Sequence, residues 1–478
     1  MATSTVASTS ANTLDVQTLV SQLMSIERQP IDKLNTKISS YQTKISSFGT
    51  ISGLVSSFQT AIQNLNDKLQ GFSATPSDPS IFTASATSTA VQGTYSLEVS
   101  SLAQSQNLVA AGQASSNTAI SDGTATTITF DFGTISLGTP PTGTLAGGVY
   151  SGASFVSNGS GTKSITIDGT NNTLQGIRDA INGANIGVSA SIVNDGSGTP
   201  YRLALTSTNS GVTNSLKITA SGGDGTINNL LGYDPAGTQN LNQTVAAQNA
   251  NLKVNGIAIT SASNTVSDAI QGATLTLKNL TTTSATLTVA HDTDAISTAV
   301  SGFVDAYNGL SSQLKSRSAY GSATSAAPVL SGDGTVRLMQ DQLRGIFNVA
   351  ASGTFTSLSQ IGVAFDATGT LKFDSSKLNS ALSKNFSDVT SLFSSATGFG
   401  TRLKAWTTSV LSPGDGLIAQ RTDSLNSSIK GYNGQITRLE ARMTVLQKQY
   451  TTTYSNLNVL LSNMNSTSNY LTQQLARL

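Results

Sequence analysis

Apolar residues recur in steps of three and four at both ends of this 478-residue chain. After Pro30 they fall at Ile31, Leu34, Ile38, Tyr41, Ile45 and Phe48. One short step follows, and the series resumes at Ile51, Val55, Phe58, Ile62, Leu65 and Leu69. Near the other end, Leu425, Ile429, Tyr432, Ile436, Leu439, Met443, Leu446, Tyr450, Leu457, Leu460 and Met464 keep a seven-residue repeat, interrupted at Thr453 and extended by Leu471. A repeat of this kind draws a seam along one helix face and requires a partner helix. The seams span 31–69 and 425–464, nearly equal lengths, which predicts that they pack together as an antiparallel pair. The short step between Gly49 and Gly53 predicts local overwinding, a bend or a change of packing partner. Upstream, "LVSQLMSIERQPIDKL" places Leu19, Val20, Leu23 and Ile26 on one face, and Pro30 reads as the start of a new helix. Seam burial falls short of the entropy cost of ordering helices this long. The terminal parts are therefore expected to fray in an isolated subunit and to order when neighbours pack on them.

Between the seams the period changes from helical to alternating. "GTYSLEVSS" from Gly93, "TITFDFG" at 127–133, "SITIDG" at 164–169, "VSASIV" at 188–193, "RLALTS" at 202–207 and "SLKIT" at 215–219 read as strands. "LKVNGIAIT" at 252–260 adds a hairpin, because Asn255-Gly256 suits a two-residue turn, and "ATLTLKNL" at 273–280 adds a strand. "TLQGIRDAING" reads as a short helix with Leu174, Ile177 and Ile181 on one face. After His291, helices return at 296–314, 335–349 and 375–395, with a hairpin at 363–374. The fold class expected is α+β and multidomain. An antiparallel terminal coiled coil and helical bundle carry nested β-rich domains inserted in the middle of the chain.

Composition narrows the function. The chain has no cysteine and one histidine, His291, which leaves little room for thiolate chemistry, a Ser-His-Asp triad or a multi-histidine zinc site. His291, Asp292 and Asp294 read as a helix start rather than a metal site. The two "GDGT" stretches, 223–226 and 332–335, read as turns, since the spaced carboxylates of a calcium loop are missing. No catalytic, cofactor-binding or metal-binding residue is assigned, and the chain is expected not to be an enzyme. Trp406 reads as a packing residue. Residues 71–300 carry six basic and twelve acidic groups, and residues 400–478 carry eight and three, which argues against nucleic-acid binding by the middle. No run is long enough to span a membrane, and the first residues lack the charge pattern of a cleaved secretion signal. Export, if it occurs, is expected to use another route.

"LDVQTLVSQLMSIERQPIDKL", "GTYSLEVSSLAQSQNLV", "VSDAIQGATLTL" and "IKGYNGQITRLEARMTVLQKQYTTTYSNLNVLLSNM" together resemble the flagellar filament cap family, also called hook-associated protein 2. "TLQGIRDAINGANIGVSASIV" resembles a module of that family and of some flagellins. The resemblance implies a secreted bacterial protein, exported by the flagellar type III apparatus and placed at the distal filament tip. It implies a ring-like homo-oligomer, commonly a pentamer, that retains flagellin and promotes its folding and insertion, so that filaments elongate and cells swim. Hook–filament junction proteins are implied as further partners. So is a cytoplasmic export chaperone at roughly residues 425–478. The coil seams would be the assembly surface. The layout implied is 1–42 with 440–478 as terminal coil, 43–76 with 292–439 as helical leg, 77–120 with 246–291 as β-rich head, and 121–245 as an outer β-rich insertion. Another flagellar axial protein or a coiled-coil surface adhesin is the alternative reading, and adhesion is a further role that an exposed cap could have.

Overall fold

The computed structural model describes residues 15–138, 144–320 and 327–476. The first fourteen residues of the expected terminal coil, and the last two of the expected chaperone region, lie outside the described residues. Among the described residues the helices are α1 (Val16–Leu69), α2 (Leu174–Ala184), α3 (Thr226–Leu231), α4 (Thr293–Ser318), α5 (Gly334–Asn348), α6 (Ser375–Ser394), α7 (Phe399–Leu411) and α8 (Leu417–Leu475). The chain divides into two compact units, Met1–Leu69 with Thr293–Leu478, and Gln70–Asp292.

The first unit is helical apart from a small hairpin. Its main core joins the second half of α1, from Phe48 to Leu69, to α4, α5, α6, α7 and the start of α8. Phe58 and Phe303 meet with ring centroids 5.5 Å apart, and Phe303 meets Phe393 at 6.4 Å. Trp406 is buried in α7 and donates its indole N–H to Gln342 at 3.2 Å. Asp333 caps α5, accepting the Thr335 N–H at 3.0 Å, and is gripped by Arg421 of α8 at 3.1 and 2.8 Å. The second "GDGT" is thus a helix cap tied to α8. The hairpin Val363–Phe365 with Leu371–Phe373 is clamped to α4, where the Asn308 amide exchanges two hydrogen bonds with Leu371 at 2.8 and 2.9 Å.

Two expectations change here. Pro30 does not begin a helix: α1 runs unbroken through it for 54 residues. Ile26 and Pro30 both lie on the exposed face, where water can satisfy the carbonyl that proline leaves without an N–H partner. The two seams are also not matched end to end. The half of α1 after Gly49 changes partner and packs on α4 and α7, so only its first half is left for α8.

The second unit is β-rich with two cores. In one, a five-stranded sheet runs Phe72–Pro76, Ala285–His291, Gly93–Ser101, Ala250–Val254, Ile257–Ser261, and a three-stranded sheet packs with it around Phe82, Leu97, Leu275 and Leu287. Asn255 and Gly256 have φ of 49° and 81°, the left-handed pair that a two-residue hairpin turn needs. His291 stacks on Phe72 with ring centroids 4.5 Å apart. In the other core, two four-stranded sheets enclose α2 and α3. Leu174, Ile177 and Ile181 of α2 are fully buried there, and Thr173 caps the helix through the Gly176 N–H.

This second core holds a polar chain. Gln106 is completely buried, accepts the Leu216 N–H at 2.6 Å and donates to Gln243 at 2.5 Å, which donates to the Tyr150 hydroxyl at 2.8 Å. Burial pushes the phenols of Tyr233 and Tyr150 above their ordinary value. A raised folded-state pKa favours the neutral phenol. Its stabilisation is complete below the unfolded value of about 10 and is lost as pH rises toward the folded one. The melting temperature of the isolated segment 70–292 should therefore stay flat from about pH 7 to about pH 10 and fall beyond it. Tyr233→Phe should fall less steeply in the same alkaline melting series.

Candidate assembly surface

α1 and α8 form an antiparallel coil. The Tyr450 hydroxyl donates to Glu27 at 3.3 Å, and the rings of Tyr41 and Tyr432 lie 5.7 Å apart, so the register runs in opposite directions. The buried centre is Val20, Met24, Ile31 and Met443, flanked by half-buried Ile436, Leu439, Leu446, Tyr450 and Tyr454. The Glu27 charge holds the Tyr450 phenol above its ordinary value, and a hydrogen bond with Tyr41 does the same for Tyr432. Lys37 sits 5.6 Å from the Tyr432 ring centroid and Lys44 sits 5.7 Å from that of Tyr41. Both rings thus carry an ammonium beside them.

The expected seam residues divide into three groups. Ile31 and Met443 are buried in the coil, Ile38 is buried beside it, and Leu34, Ile429, Tyr432, Ile436, Leu439, Leu446 and Tyr450 are half-buried. Phe48 and Leu425 belong to the main helical core, with Tyr41 and Ile45 packed against it. Leu457, Leu460 and Met464 have no such cover among the described residues: they are 39%, 56% and 60% exposed, and Leu471 and Leu475 continue the face at 55% and 70%. Val20 and Met24 are buried, whereas Ile26, expected on the same face as Val20, is 60% exposed. The frame that includes Met24 was present in the sequence. Stepping back from Ile31 in fours and threes meets Glu27, Met24 and Val20, directly through Pro30.

Among the described residues, the apolar seam of α8 continues past the part of α1 that covers it. Among the described residues no group of three or more His, Asp or Glu side chains could hold a metal ion. No helix among them is long and apolar enough to cross a membrane. Three family models match in chain order: flagellar hook-associated protein 2 N-terminus at 12–106, flagellin hook IN motif at 155–209, and flagellar hook-associated protein 2 C-terminus at 247–466. Flagellar hook-associated protein 2 of Escherichia coli O157:H7 is 35% identical over 96% of this chain and 96% of its own. The chain belongs to the flagellar hook-associated protein 2 family. A B-type flagellar hook-associated protein 2 of Pseudomonas aeruginosa is 30% identical over 97% of this chain and 96% of its own. The crystal structure of the flagellar cap protein FliD D1-D2-D3 domains from Escherichia coli superimposes with a TM-score of 0.64 at 35% identity, covering 80% of this chain and 99% of that one. In this member of the hook-associated protein 2 family, the flagellin hook IN match spans α2 and the strands around it, in the second β core.

Proposed function

We propose that the protein caps the distal tip of a bacterial flagellar filament, retains exported flagellin and promotes its folding and insertion. The observation that carries this is the apolar face of α8 from Leu457 to Leu475, exposed among the described residues, in a chain of this family. A cap that advances as subunits insert beneath it needs legs that bind and release. A seam that is well buried only near Met443 and bare beyond Leu457 suits that cycle. The protein works outside the cell as a ring of a few copies. The terminal coil and helical parts (1–42 with 440–478, and 43–76 with 292–439) serve as legs, and the β-rich parts (77–120 with 246–291, and 121–245) serve as the plate. Before export, the C-terminal stretch from about 425 meets a cytoplasmic chaperone, which shields the same bare face. Hook–filament junction proteins hold the first ring before the filament grows. The protein acts by assembly and not by catalysis.

Deletion of the gene in its own bacterium tests this. Flagellin monomer should accumulate in the medium, filaments should be absent, and added protein should restore them. Normal filaments and motility after deletion would sink the reading and bring an adhesin forward. Filaments lost without secreted flagellin would move the protein to the hook or the export machinery.

A further inference from the structure

The helical unit carries a second surface feature, away from the coil. The rings of Tyr307, Phe347 and Phe365 form a triangle with centroid separations of 5.2, 5.3 and 5.7 Å. They line a cleft of about 360 Å³ between α4, α5 and the small hairpin. Phe365 is 44% exposed, although it is one of the largest apolar side chains of the unit. Lys315 and Arg344 stand at the rim, and Lys315 donates to the Thr368 carbonyl at 2.9 Å, which fixes its ammonium over the opening. Arg337 extends the basic rim two turns back along α5.

The carboxylates nearby do not neutralise this rim. Asp366 turns into the hairpin and accepts the N–H groups of Thr368 and Thr370 at 2.8 and 3.0 Å. Asp333 is committed to Arg421. Asp341 lies on α5 between Arg337 and Arg344, yet among the described residues no ion pair joins Lys315, Arg337 or Arg344 to a carboxylate. Aromatic rings with unpaired cations at their edge are the composition of an interface hot spot, suited to an apolar side chain that arrives beside a carboxylate.

The chain itself contains the complementary charge. The helical unit carries twenty basic and fourteen acidic residues, a net of +6, whereas the β-rich unit carries six and eleven, a net of −5. We propose that the cleft bounded by Tyr307, Lys315, Arg344, Phe347 and Phe365 receives an acidic, apolar segment of the β-rich unit of a second copy of this chain. This rests on the ring assembly proposed above. It makes the contact heterologous, one patch meeting a different patch, which is the type that closes rings.

The full-length chain is the material for the test. Sedimentation velocity of the wild type should show concentration-dependent assembly that weakens with salt. Lys315→Glu with Arg344→Glu, both at exposed positions, should melt as the wild type does and associate at least tenfold more weakly. Phe365→Ala, which keeps all charges, should also weaken association. An equal mixture of ¹⁴N- and ¹⁵N-labelled wild type, treated with a carbodiimide, should join the Lys315 amine to a carboxylate within 70–292 of the other copy. A wild type that stays monomeric at every concentration would overturn the ring reading itself. Normal assembly by both variants would overturn only the cleft. Links from Lys315 confined to 1–69 and 293–478 would replace the occupant by the helical unit.

Discussion

Ile436→Asp combined with Leu446→Asp leaves cells without filaments, while the β-rich unit melts at its wild-type temperature. Both residues pack on the small coil core of Val20, Met24, Ile31 and Met443. A carboxylate forced against an apolar surface costs about 2–4 kcal/mol each, or else keeps water and parts the helices. The two insertions together cost about 4–8 kcal/mol, comparable with what burying the four side chains of that core supplies. The β-rich unit Gln70–Asp292 has its own two cores, neither of which includes these positions. Electron microscopy of the cells and thermal melting of the purified chain decide the result. Filaments of normal length on cells carrying the variant would remove the coil from the mechanism.

Asp333→Ala destabilises the helical unit by about 3 kcal/mol. The substitution removes the cap of α5, worth about 1 kcal/mol. It also removes two charge-assisted hydrogen bonds to Arg421, worth together about 2 kcal/mol. The Asp333 side chain is 2% exposed and that of Arg421 is 33% exposed, so the orphaned guanidinium keeps part of its hydration and the loss stays below that of a fully buried pair. Asp333→Asn should recover the cap but not the ion pair, and lose about half as much. Urea unfolding followed by helical circular dichroism measures both. Equal midpoints for wild type and Asp333→Ala would show that α8 is held to α5 by apolar contacts alone.

The seam periods made α1 and α8 legible because each seam residue repeats the same demand for apolar cover. What the seams could not reveal was the identity of each partner. Phe48 to Leu69 and Ile31 to Ile38 look alike in sequence, yet the first group faces α4 and α7 and the second lies along the coil. The short step near Gly49 marked the change without naming the new partner. Pro30 misled because proline's local cost was read without the tertiary contacts that outweigh it. Strands such as Leu203–Leu205 and the helix carrying Ile177 were legible from alternation and spacing. The pairing of Asn107–Ala110 with both Tyr201–Ser207 and Leu241–Val245 was not, since nothing local records partners so far apart along the chain. The Lys315–Arg344 cleft escaped for the same reason: its cations and rings come from three elements, each unremarkable alone.

The two halves of the helical unit are separated by the whole of Gln70–Asp292. Every residue of the β-rich unit has been delivered once Asp292 is reached, whereas Phe58 must wait for Phe303 and Tyr41 for Tyr432. Long loops slow the contacts that depend on them. A chain delivered from its N-terminus onward, whether from a ribosome or through a narrow export channel, therefore presents a finished β-rich unit on an unfinished helical one. For that interval the face of α1 from Phe48 to Leu69 is a long bare apolar helix. The order of delivery sets when the helical unit is most vulnerable to aggregation, and a partner that arrives early has its best opportunity in the same interval.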